Sequence, residues 1–246
     1  MKKEKNSLPS LHTCLSPSLL HLYNVSDSIV VIIDILRATS TVATALYNGA
    51  RNIIPVDSVA ECIKLGKQMD AITAGERDGR IAEGLKYGNT PLQYTAGFID
   101  GKILILTTTN GTRLLHMALS SGAQEIMTGA FSNLSAVCDH LLAQQRHVIL
   151  ACAAWKDRVN IEDTLFAGAV VSRIKERFHI NCDSSSMAES LYDLARNDLF
   201  GFMRDKHASH YQRLMGYGLE EDIRYCLTID NANTLVLYKE GRLVKV

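Results

Sequence analysis

The stretch DILRATST, residues 34–41, sets a carboxylate (Asp34), a guanidinium (Arg37) and three hydroxyls (Thr39, Ser40, Thr41) directly after the apolar run IVVII. A helix start needs one polar cap; five polar groups suit capture of an oxyanion. Arg37 can hold a phosphate or sulfonate through forked hydrogen bonds, and Asp34 can face a metal ion. A second cluster, TTTNGTR at 107–113, offers the hydroxyls of Thr107, Thr108, Thr109 and Thr112, the Asn110 amide, and Gly111, which permits close backbone approach. It suits a phosphate cradle, although no Gly-Lys-Ser/Thr follows; an Asn-Gly turn with a Thr cap accounts for it equally well. AGER at 74–77 adds Glu76 and Arg77, and NIEDT at 160–164 adds Glu162 and Asp163. Acids in a first helical turn commonly just complement the helix dipole. Four acids at comparable strand-to-helix positions point instead to a hard cation. Oxygen ligands suit Mg²⁺, which with Arg and hydroxyls stabilises phosphoryl transfer. Asp34, Glu76 and the Glu162/Asp163 pair are thus candidates for metal ligands or for the base that activates water, with Asp34, Glu76 and Asp163 as the metal set.

Two other patterns carry less. Cys152 to Arg158, CAAWKDR, has the C-x5-R spacing of cysteine-dependent phosphatases. Its loop lacks glycine and puts Trp155 and the acidic Asp157 where a dianion would lie, so Cys152 reads as a buried structural residue. No HExxH spacing occurs among the eight histidines; His207 and His210, with Arg204 and Arg213, form either a basic surface near the site or a solvated helix face, and the second reading is preferred.

The clusters need strands and helices to aim them. SIVVIIDILRATST, KILILTTTNGT and HVILACAAWKDRVNIEDT are strand-sized apolar runs, each ending in a polar cluster and followed by helix-like sequence. This alternation predicts an α/β fold, layered α/β/α, with a largely parallel or mixed sheet. A shift of 73 residues lays Ile32-Ile33 on Ile105-Leu106, Arg37 on Asn110, Thr39 on Thr112 and Gly49-Ala50 on Gly122-Ala123 without a gap. We read a duplicated βαβαβ unit, about 28–76 and 102–155, inside a single domain spanning 1–246. Residues 77–101 form a Gly-rich interlude of a length that is often functional. Beyond about Asn181 the chain reads as helical, then as two strand-like pieces, YCLTID and TLVLYKEGRLVKV.

Composition bounds the partners. Lys+Arg and Asp+Glu are 26 each, so no global field favours nucleic acid or an anionic membrane. No apolar run approaches the ~20 residues of a membrane span, and the basic start, MKKEKNSLPSLHTC, lacks a signal-peptide core. Six scattered cysteines without a CxxC pair favour reduced thiols and a cytoplasmic location. The oligomeric state stays open, a homodimer included.

DILRATST, GER…EG…GNTP, TTTNGT, SNLSAV and IEDTLFAGA, in this order, together resemble the 2-phosphosulfolactate phosphatase (ComB) family; a weaker tail, SH…RL…G…D, runs from Ser209 to Asp222. The resemblance implies an α/β phosphoric monoester hydrolase, dependent on Mg²⁺, that converts phosphosulfolactate to sulfolactate, a step of coenzyme M biosynthesis in archaea. Carried over by motif, the site comprises Asp34, Arg37, Thr39, Glu76, Arg77, Asn89, Thr108, Asn110, Thr112, Glu162 and Asp163, with Gly111 in the cradle. Arg77 or a C-terminal basic residue would take the sulfonate or carboxylate. The chain departs from the family pattern at Leu85-Lys86, where an aromatic and an Asp are common, and at AAWKDRVN, where glycines are usual. Two rival readings are a non-catalytic anion-binding or sensor protein and a phosphatase for a different small phospho-acid.

Overall fold

A computed structural model describes residues 8–246; the basic start of the chain, Met1–Ser7, lies outside the described residues. A short strand β1 (Leu11–Cys14), which the sequence did not announce, precedes β2 (Ser28–Ile33), α1 (Ala38–Tyr47), β3 (Asn52–Pro55), α2 (Val59–Met69) and β4 (Ile72–Arg77). The interlude contributes β5 (Arg80–Ile81) and the single turn α3 (Ala96–Ile99). A second series follows: β6 (Ile103–Thr107), α4 (Gly111–Ser120), β7 (Glu125–Gly129), α5 (Leu134–Gln144) and β8 (His147–Cys152). Five helices, α6 (Ile161–Ile174), α7 (Asp183–Ala195), α8 (Leu199–Asp205), α9 (Ser209–Met215) and α10 (Glu220–Cys226), lead to the hairpin β9 (Val236–Lys239) and β10 (Arg242–Lys245).

The two series match locally. Helices α1 and α4 are both ten residues long and begin at the 73-residue offset, and each is followed by a glycine at positive φ, Gly49 at 99° and Gly122 at 81°. Helices α2 and α5 are both eleven residues long and end on a left-handed residue, Asp70 and Gln145.

In space the series are interchanged. The ten strands run β1-β8-β2-β7-β9-β10-β3-β6-β4-β5. The first strand of each series therefore lies between the second and third strands of the other: β2 is parallel to β7 and β8, and β6 to β3 and β4. Continuous apolar runs such as SIVVII need cover on both faces and both edges, which a central parallel position supplies. Ile29, Val31 and Ile33 face the core under α5–α10, and Val30 and Ile32 face the core under α4, the alternation that a pleated strand imposes. Helix α1 instead covers Leu104 and Leu106 of β6.

The terminal hairpin joins the halves. It turns at Glu240 and Gly241, both at positive φ, and pairs antiparallel with β7 and β3, so the sheet is mixed. The expected strand YCLTID is instead the end of α10 and the turn after it, because Ile223 and Cys226 bury at helical spacing. Among the described residues, no helix is long and apolar enough to cross a membrane.

Candidate active site

The polar clusters follow the carboxyl ends of the parallel strands, as in open α/β sheets generally. Beyond β2, the Thr39 amide and Oγ1 both donate to the Asp34 carbonyl at 2.9 Å, and the Asp34 amide donates back to Oγ1 at 3.1 Å. Ser40 Oγ donates to the Ile35 carbonyl at 2.9 Å. These hydroxyls shape the turn itself. Beyond β6, Thr108 Oγ1 accepts from the Thr112 amide at 3.3 Å and lies 3.1 Å from Thr112 Oγ1, capping α4. Thr39, Thr108, Gly111 and Thr112 then line a small, mostly apolar cavity of about 40 Å³ between α1 and α4.

The two helix starts meet there. A Cβ on Gly111 would lie 3.5 Å from Ala38 Cβ and 3.2 Å from Asp34 Oδ2. Glycine lets α4 approach Asp34 with room to spare, where a Cβ would press on the carboxylate. Two helix N-termini, each with its positive dipole end, thus converge beside one acid.

The other acids divide into two kinds. Glu76 accepts from the Thr109 amide at 2.8 Å and the Gly79 amide at 2.9 Å, tying the β4–β5 turn to the loop before α4. Asp163 accepts from the Ile35 amide at 2.9 Å and the Ala154 amide at 3.2 Å, tying α6 to the exits of β2 and β8. Every oxygen of these two acids already holds backbone. Glu162, 1% exposed, keeps Oε1 2.6 Å from His210 Nδ1, while its Oε2 is buried with no partner. Burial pushes Asp34 up to about 6, with the Glu76 charge adding and His210 opposing. Burial, then the charges of Glu162 and Asp34, push Asp163 well up too. Negative charge is concentrated here beyond what the surrounding cations offset.

Above these acids, a cleft is lined by Arg37, Glu76, Asn89, Asn110, Trp155, His210 and Arg213, among others. Through Arg37, Gly79 and Asn89 it opens into an outer cleft of about 440 Å³. Asn89 is 4% exposed and its Oδ1 has no partner. Arg37 is clamped, with Nη1 3.0 Å from Asp222 Oδ1 and Nη2 donating to the Gly79 carbonyl at 2.9 Å. Arg77 does not line the cleft: it donates to the Glu76 carbonyl and, at 3.0 Å, to Thr107 Oγ1.

Of four further contributors, sequence reasoning missed Trp155 and Asp222, and it weighed His210 and Arg213 as a basic surface near the site but preferred a solvated face. The expected solvated face is not one helix face: Arg204 ends α8, His207 lies in the turn after it, and only His210 and Arg213 are on α9. Arg204 and His207 are exposed, whereas His210 and Arg213, three residues apart on one helix face, turn into the cleft. Their signal was the tail pattern from Ser209 to Asp222, which holds three of the four. Trp155 is carried by a tight turn in which Lys156 and Asp157 both adopt positive φ and the Trp155 and Arg158 backbones exchange hydrogen bonds. Cys152 is 1% exposed and burial pushes its thiol well up, as for a structural cysteine.

The fold is α/β, and arginines, amides and acids line one cleft beyond the strand ends. The chain belongs to the 2-phosphosulpholactate phosphatase family, whose model matches residues 14–241, and with it to the phosphoric monoester hydrolases. It is 38% identical over 222 residues to a probable 2-phosphosulfolactate phosphatase of Caldanaerobacter subterraneus subsp. tengcongensis, covering 89% of this chain and 90% of the relative. Relatives of the same name occur in Thermotoga petrophila, at 40% over 86% of this chain and 89% of theirs, and in Clostridium acetobutylicum, at 34% over 89% and 93%.

Proposed function

We propose that the protein hydrolyses a small anionic phosphate monoester with Mg²⁺ as cofactor, and that 2-phosphosulfolactate, giving sulfolactate and phosphate, is the substrate. Support for the substrate comes from the family and the names of the relatives. The observation that carries the metal is the buried, unpartnered Glu162 Oε2 near Asp34, whose own carboxyl is held high by burial and neighbouring acids. Among the described residues, no group of three or more His, Cys, Asp or Glu side chains could hold a metal. Mg²⁺ asks for less: one or two carboxylates, completed by waters and substrate phosphate oxygens. Asp34 and Glu162 supply that pair and fit the ion, while Glu76 and Asp163 hold backbone. When bound, the ion offsets phosphate charge and makes a coordinated water more acidic.

The residues divide the remaining work. Amides at the starts of α1 and α4, the Asn110 side chain and the unused N–H groups of Arg37 receive the phosphate oxygens. We assign the shared proton to His210 Nδ1, 2.6 Å from Glu162 Oε1, which leaves Nε2 as an acceptor. It takes the proton of the attacking water as the new P–O bond forms; the ester P–O bond breaks and the leaving oxygen is protonated from solvent. A positioned base of this kind contributes about 10²–10⁴ in rate. Phosphate release from 2-phosphosulfolactate in Mg²⁺ tests the reading. Glu162→Gln and His210→Gln should each cut kcat at least about 10²-fold, and EDTA should abolish turnover. No phosphate from this ester or from a panel of small phospho-acids would reject it.

A further inference from the structure

Within the cleft the cations are unequal. Arg37 is matched by Asp222, and Arg113, outside the cleft, by Asp157. Among the described residues Arg213 makes no ion pair within 4.0 Å, and its buried Nε has no hydrogen-bond partner. Its guanidinium carbon lies 4.4 Å from the centroid of the Trp155 ring. An aromatic face holds the planar guanidinium by its π surface and leaves the hydrogen-bonding edge free. Such an edge is built to take two oxygens of one anion at once. Trp155 stands in AAWKDRVN, the loop where this chain departs from the family pattern.

Geometry also sets the distance. Arg213 follows His210 by three residues on α9, so their side chains leave the helix about 5–6 Å apart. His210 bonds to Glu162 at the floor; Arg213 therefore addresses a group a few bonds from the reacting phosphorus. We infer that Arg213, braced by Trp155, binds the second anionic group of the substrate, a sulfonate or carboxylate, and so selects phosphate esters of small acids over simple monoesters. This rests on the phosphatase reading above and names which C-terminal basic residue takes that group, since Arg77 does not line the cleft.

Trp155 is the chain's one tryptophan, so its emission reports on this position. Sulfolactate, which carries the second anion without phosphate, and inorganic phosphate are titrated into the Mg²⁺-loaded protein by calorimetry, with Trp155 emission read in parallel. In Arg213→Gln, sulfolactate affinity should fall about 10–100-fold, as expected for losing hydrogen bonds to a charged group, while phosphate affinity stays within about threefold. Arg213→Lys should recover part of the loss, since it restores the charge but not the fork. Turnover should follow: kcat/KM for phosphosulfolactate falls by the same factor, and that for p-nitrophenyl phosphate, which has no second anion, holds. Equal sulfolactate affinity in wild type and Arg213→Gln, equal losses for sulfolactate and phosphate, or no sulfolactate binding by wild type would each overturn the inference. If wild type binds sulfolactate through Arg213 yet releases no phosphate from any ester, the phosphatase reading fails and this assignment stands.

Discussion

Arg37→Ala is the most informative single substitution, because the structure gives Arg37 a mechanical role beside its chemical one. The residue is 6% exposed and its ion pair with Asp222 is buried on both sides. It also donates to the Gly79 carbonyl, so one side chain joins the start of α1, the β4–β5 turn and α10. Truncation leaves the Asp222 carboxylate buried and unpaired, which costs about 3–5 kcal/mol. For a chain of this length each kcal/mol moves Tm by roughly 2–4 °C, so Arg37→Ala should unfold about 6–20 °C below wild type. Arg37→Met with Asp222→Leu removes both charges and fills the volume; most of the lost Tm should return. Turnover should not return, since neither variant presents a guanidinium to the phosphate. Thermal unfolding by circular dichroism and phosphate release on the same samples separate the two effects. Wild-type Tm in Arg37→Ala would refute the anchoring role; restored turnover in the double variant would refute the phosphate contact.

Asp34 ties stability to pH in the metal-free protein. Its folded pKa of about 6 exceeds the ordinary carboxylate value of 3.8, so the native state binds the proton more tightly. No penalty exists below about pH 3.8; it grows from there to about 6 and is complete above. In EDTA, Asp34→Asn should therefore melt a few degrees above wild type at pH 7.5 and level with it near pH 4, and a lower Tm at pH 7.5 would contradict this. Added Mg²⁺ should raise the Tm of wild type but not of Glu162→Gln, by about 2.7 kcal/mol at a hundred times Kd; equal shifts would remove Glu162 from the metal site. Cys152→Ala should keep turnover within a few-fold and full sensitivity to EDTA, whereas its inactivation would reopen the thiol mechanism. A Cβ at Gly168 would meet the Ala188 carbonyl oxygen of α7, so Gly168→Ala should lose about 1–3 kcal/mol or more in a denaturant melt; an unchanged midpoint would mean α7 shifts freely.

Local features were legible because they are set within a few residues of themselves. Apolar runs marked β2, β6 and β8, the polar clusters marked their ends, and the 73-residue offset fell on the starts of α1 and α4. That acids and an arginine gather at strand ends also followed from spacing alone. The interchange of strands was not legible, since a strand's neighbours depend on which buried edges the rest of the sheet leaves open. Nor could spacing say which acid keeps a free oxygen. Asp163 and Glu162 are adjacent and alike in type, yet each oxygen of one accepts a backbone amide, from Ile35 and Ala154, while the other holds His210 and an unpartnered oxygen. Ile35 lies 128 residues upstream of Asp163 and Ala154 only 9, while His210 lies 48 downstream of Glu162. The sequence by itself determined what chemistry the strand ends could carry; the tertiary structure decided which groups remain free to do it, because hydrogen bonds from distant backbone, and not residue type, determine whether a buried polar atom is spent.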